Sequence, residues 1–181
     1  MSIPIKFLLN FCVLLFLQLF FLNDILIKSS ITLFGIPAFI PIIYPLILLV
    51  LPVNTPNWLG MLLGFFTGLV VDYFCNTPGM HAASCVLLCY LRPALLGLFF
   101  QQSIKELGSI VPSIFRMGFT SFLIYCGTAI FLHHLFFYTL QIWSLKNFHI
   151  ILFKTFLSGI VSVLLIVISQ LLFAQKEIKR I

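Results

Sequence analysis

Six predominantly apolar runs divide the chain, and the breaks between them fall at charged residues or at stretches containing Pro and Gly. A helix needs about 20 mostly apolar residues to cross a bilayer. The runs therefore predict six membrane spans, over Phe7–Asn23, Ile36–Val53, Trp58–Phe74, Met80–Phe100, Val111–Tyr138 and Phe148–Phe173. The fifth is long enough to tilt. The first follows Lys6 but carries no small-residue cleavage site, so it reads as a retained helix. In the second, Pro37, Pro41 and Pro45 recur every four residues, which strips amide donors from one face and predicts a kinked helix.

Composition agrees with the pattern: 62% of the residues are hydrophobic, 8% are charged, and mean hydropathy is +1.21. The spans consume nearly all of the 181 residues, so residues 1–181 read as one all-α membrane domain, with no place for the catalytic apparatus of a soluble enzyme. Ten Lys and Arg face four Asp and Glu, yet the cations are scattered at span ends rather than gathered for nucleic acid. They report topology. Lys6, Lys105, Lys176, Lys179 and Arg180 fall on one side and Lys28, Lys146 and Lys154 on the other, which predicts cytoplasmic termini and an exterior turn at Asn76–Gly79. Trp58, Tyr73, Tyr138 and Trp143 sit near predicted interfaces, as aromatic belts do. The loop Gln101–Ser109, with Lys105 and Glu106, is too short for a domain.

Charged residues inside apolar runs are costly, which singles out Asp72 and Arg92. Gly60, Gly64, Gly68 and Asp72 recur every four residues and share one helical stripe. That stripe suits close packing of span three on span four or six, or a groove for another helix. Asp72 lies about 21 Å along the span from Trp58. It is well placed to accept hydrogen bonds from the amides that start the fourth helix near Gly79. A proton relay is the alternative, with His81 as the nearby titratable group.

His81, Ser84, Cys85, Leu88, Cys89 and Arg92 share one face of the fourth span. Arg92 lies about 20 Å from Gly79, at a depth differing by about 10 Å from that of Asp72, so no direct ion pair is expected. Arg92 and Arg116, near the inner headgroups, are candidates for anionic-lipid contact. For Arg92, which precedes Pro93, a specific contact is expected; for Arg116, snorkelling. His133 and His134 diverge by about 100° around a helix and read as solvated at the interface. The five cysteines form no CxxC pair and no zinc spacing, and no HExxH, phosphate loop, dinucleotide fingerprint or Ser-His-Asp arrangement is recognisable. No enzyme activity, metal or cofactor is expected.

The ordered run Gly64-Phe-Phe-Thr-Gly-Leu-Val-Val-Asp-Tyr-Phe-Cys-Asn-Thr-Pro-Gly-Met-His-Ala-Ala-Ser, followed by Tyr90-Leu-Arg-Pro93, resembles the bacterial rod shape-determining protein MreD family. The matching positions are Gly64, Gly68, Asp72, Asn76, Pro78, Gly79, His81 and Ala82, with Arg92 beyond them. The resemblance implies a six-span bundle similar to the substrate-binding components of energy-coupling-factor transporters. It also implies a non-enzymatic inner-membrane component of cell elongation and peptidoglycan synthesis. Its partner would be the single-span protein MreC, and through it MreB, RodA and a penicillin-binding transpeptidase. The competing expectation is a small-solute or vitamin-binding transport component.

Overall fold

The computed structural model describes residues 12–22, 32–33, 36–37, 41–100 and 110–173. Among the described residues, four helices are long and apolar enough to cross a membrane: α2 (Asn57–Cys75), α3 (Met80–Phe99), α5 (Phe119–Ile142) and α6 (Phe148–Phe173). Each grows from a long, mostly apolar run, and past the first turn its backbone amides find acceptors within the helix, as a bilayer requires. Two short helices accompany them, α1 (Pro45–Leu49) and α4 (Ile114–Met117). The helices pack in sequence: α2 on α3, α3 on α5, α5 on α6.

The first predicted span is described from residue 12, and it is helical through Leu22 with a π-turn at Leu17–Leu22. Beyond it, Thr32–Leu33 pairs antiparallel with Ile36–Pro37.

The second predicted span is not a continuous helix. Residues 41–43 have no regular secondary structure, α1 lasts five residues, and Val50 ends it. The prolines explain this outcome. Pro41 and Pro45 have no amide to donate and neither fits a helix interior, so helix begins where Pro45 occupies a first-turn position.

Residues 42–49 are nonetheless wholly buried, enclosed by α2, α3 and α5. Irregular backbone at membrane depth is tolerated only where the protein itself satisfies its polar groups. Here side chains do so. The Ile42 amide donates to Ser162 Oγ at 2.8 Å and the Ile43 amide to Gln18 Oε1 at 2.8 Å, while Gln18 Nε2 donates to the Pro41 carbonyl at 3.2 Å. At the far end the Val53 amide bonds the Ile110 carbonyl at 2.9 Å.

The fifth predicted span also divides. Gly118, at φ +82°, separates α4 from α5, and α5 then runs past Tyr138 to Ile142, where Trp143 turns left-handed. Trp58, Tyr73 and Trp143 are exposed at helix ends as the belt predicts, whereas Tyr138 is buried. Most of the cations behind the predicted orientation (Lys6, Lys28, Lys105, Lys176, Lys179, Arg180) lie outside the described residues, as does the loop 101–109. Lys154 is no loop cation: it sits within α6, fully buried, its Nζ 5.9 Å from the centre of the Tyr138 ring.

Candidate functional site

The α2–α3 hairpin gathers most of the predicted site residues. Helix α2 ends at Asn76, whose left-handed φ of 55° an Asn tolerates, and the turn closes through Pro78 and Gly79, the latter at φ +79°. Asp72 then meets the start of α3. Its Oδ1 accepts the His81 amide at 3.0 Å and the Thr77 hydroxyl at 2.8 Å, and its Oδ2 accepts the Ala82 amide at 2.9 Å. The carboxylate is buried and lies at the positive end of the helix dipole, the place where a negative charge is best tolerated.

The glycine stripe faces α3. A methyl group at Gly68 would lie 2.4 Å from Ala82 Cα, one at Gly64 3.0 Å from the Cys85 carbonyl oxygen, and one at Gly60 3.8 Å from Cys89 Cβ. The helices thus converge toward the turn, and Gly68 opposite Ala82 is the point of closest approach.

Arg92 does not reach toward lipid. It is buried, and its guanidinium donates to the carbonyls at the carboxyl end of α1: Nε to Leu49 at 3.5 Å, Nη2 to Pro52 at 3.3 Å, and Nη2 also to Leu51. The Tyr125 hydroxyl adds a bond to the Leu49 carbonyl at 3.1 Å. The expected anionic-lipid contact of Arg92 is thus replaced by a cap on an irregular segment, because five fixed donors suit a row of orphan carbonyls. Arg116, in α4, is exposed.

His133 and His134 are not interfacial. Both are buried on α5, facing the irregular segment and α6 rather than water. His134 Nδ1 donates to the Ile130 carbonyl at 2.9 Å; a carbonyl only accepts, so Nε2 is left as the acceptor for the Ser162 hydroxyl at 3.3 Å. Ser162 in turn accepts the Ile42 amide, completing a directed chain.

The second imidazole joins a cluster that sequence reasoning did not assemble. The Tyr44 hydroxyl lies 2.9 Å from His81 Nδ1 and 3.2 Å from His133 Nε2, and Cys85 Sγ stands 3.5 Å from that hydroxyl. One phenolic proton cannot serve two rings, so Tyr44 donates to one imidazole and accepts from the other. His81 stacks on Phe137 with ring centres 4.4 Å apart, and His133 Nδ1 has no partner among the described residues. Ser84, on the same face, bonds the Met80 carbonyl of its own helix at 2.7 Å.

Chemically, this arrangement orients imidazoles and fixes backbone. Among the described residues, no three His, Cys, Asp or Glu side chains are placed to hold a metal ion. The residues overlooked in the sequence, Gln18, Tyr44, Tyr125 and Ser162, had one shared signal: each is a polar group isolated in an apolar run. A scan against protein-family models finds no match to this chain, and searches of curated proteins and of solved structures find none either.

Proposed function

We propose that this chain is a scaffold of the bacterial cell-elongation machinery, resident in the inner membrane and binding the single-span protein MreC. The observation that carries the reading is the ordered run from Gly64 to Ala82, which resembles MreD. Its positions act together in the α2–α3 hairpin: Gly64 and Gly68 admit α3, Asp72 caps it, Asn76 and Gly79 form the turn, and Ala82 packs on Gly68. MreB, RodA and a penicillin-binding transpeptidase are the indirect partners in this reading, with lipids but no nucleic acid.

The same reading takes six crossings, the second made by the irregular segment, with both termini cytoplasmic and a fold similar to the substrate-binding components of energy-coupling-factor transporters. A role in small-solute transport has less support. The Tyr44 hydroxyl bonds to His81 and His133, the Ser162 hydroxyl to His134 and to backbone, and the described cavities have apolar walls. Purification in native lipids tests the choice. Co-purification of MreC is expected; a chain recovered without MreC and carrying a bound small molecule overturns the reading.

A further inference from the structure

Three of the four histidines converge on three consecutive residues, 42–44. His81 and His133 share the Tyr44 hydroxyl, and His134 accepts from Ser162, which takes the Ile42 amide. All three rings are buried, those of His133 and His134 with centres 5.5 Å apart, whereas His149 is exposed. The other end of the segment is held by different chemistry. There the Arg92 guanidinium and the Tyr125 hydroxyl cap the Leu49, Leu51 and Pro52 carbonyls, and neither group changes charge between about pH 5 and about pH 8.

An added proton undoes the first set of bonds. On His134 it would occupy Nε2, the acceptor of the Ser162 hydroxyl. On His133 it makes both ring nitrogens donors, and Nδ1 has no acceptor among the described residues. With His81 and His133 both charged, both rings donate to the Tyr44 oxygen, whose own proton is left with Cys85 Sγ at 3.5 Å, a weak acceptor.

The surroundings supply little compensating charge. Among the described residues Asp72 is the single carboxylate, and its oxygens already accept the His81 and Ala82 amides and the Thr77 hydroxyl. The other titratable groups that face the cluster are the thiols of Cys75 on α2 and of Cys85 and Cys89 on α3, the Tyr138 phenol on α5, and Lys154 on α6, a further cation, over the Tyr138 ring. From the first span comes Gln18, which is neutral. Water solvates an imidazolium far better than this interior does, so acid favours a state in which residues 42–44 leave the cluster. Protons have a route in: His81 is the second residue of α3, beside the exposed Gly79, and hydrogen bonds continue from it through Tyr44 to His133.

We propose that residues 42–44 form an acid-released latch: protonation of His81, His133 and His134 frees this end of the irregular segment, while Arg92 and Tyr125 hold the other end as a pivot. Histidine clusters switch packing in this way in mild acid.

Two native thiols report on the two ends. Cys85, against Tyr44, and Cys126, next to Tyr125, are both fully buried. The full chain in lipid vesicles is labelled with dipyridyl disulfide from about pH 8 to about pH 5, and the labelled sites are resolved by mass spectrometry. Each rate is divided by that of the denatured chain at the same pH. Cys85 should react at least about tenfold faster in acid while Cys126 stays protected. The double variant His133→Gln with His134→Gln should abolish the response, and His149→Gln should retain it. If the double variant already exposes Cys85 near neutral pH, imidazole nitrogen NMR of the wild type decides: rings that charge over the pH range in which Cys85 becomes reactive support the latch, and rings that charge elsewhere overturn it. Cys85 protected throughout, a response that survives in a folded double variant, or Cys126 labelled in step with Cys85 would each overturn it as well, the last because it marks unfolding of the bundle.

Discussion

The two carboxylate oxygens of Asp72 are divided between successive amides of the next helix, with Oδ2 on Ala82 at 2.9 Å and Oδ1 on His81 at 3.0 Å. An Asn at this position offers one acceptor and presents an NH2 group to the other amide. Asp72→Asn is therefore expected to lower stability, and Asp72→Leu, which accepts nothing, to lower it further. Hydrogen bonds to charged groups contribute about 1.5–3 kcal/mol each. Melting temperature in detergent and cellular abundance measure the order. Equal loss of rod shape in both variants, with Asp72→Asn at normal abundance, would assign the effect to the charge instead of the cap.

The glycine stripe predicts a graded series. Gly60→Ala should be nearly neutral, since 3.8 Å is ordinary contact. Gly64→Ala should cost on the order of 1 kcal/mol, as the 3.0 Å approach forces a small shift. Gly68→Ala, at 2.4 Å from backbone, should part the helices and cost about 3 kcal/mol or more. Thermal unfolding of the three variants checks the gradient, and a flat response would mean that α2 and α3 do not touch along this line.

Tyr44→Phe removes a hydroxyl shared by two imidazoles, leaving both without it in a buried site. The expected cost is about 1–2 kcal/mol, toward the lower end for polar contacts between membrane segments. Ser84→Ala is the control. Its hydroxyl serves only its own helix, so it should move the melting temperature less than Tyr44→Phe does.

Arg92 predicts a local effect. Arg92→Met leaves the Leu49, Leu51 and Pro52 carbonyls without their main donor, and Arg92→Lys keeps the charge but loses the fork. A cysteine placed at Leu51, which is 4% exposed in the native fold, should label with maleimide fastest in the Met background, at an intermediate rate with Lys and slowest with Arg. Equal rates would show that α1 is held by apolar packing alone.

The sequence made the four long helices legible because long apolar runs bounded by Pro, Gly or charge have one comfortable state in a bilayer. Three of them begin and end within a residue of the expected bounds. The cap by Asp72 was legible for a related reason: a Pro-Gly turn fixes the distance from residue 72 to the next helix start. The stretch 36–53 was not, since hydropathy reports burial and is silent on whether buried backbone is helical. Nor was the Tyr44 cluster, whose members are 37 and 89 residues apart and meet only after α3 and α5 have packed. Lys154 misled for the opposite reason: a cation near a span end normally marks an interface, and here the helix carries it inside.

The irregular segment also sets an order of events during synthesis. Ile42 leaves the ribosome 120 residues before Ser162, which accepts its amide, and Pro52 and Leu49 leave it 40 and 76 residues before Arg92 and Tyr125, which donate to their carbonyls. At roughly 5–20 residues per second, that longest wait is on the order of ten seconds. A helix can enter the bilayer alone, but this stretch cannot until its later neighbours exist. It must wait in water, at the headgroups or inside the insertion machinery, so residues 42–52, though made early, settle only after α6 has been made.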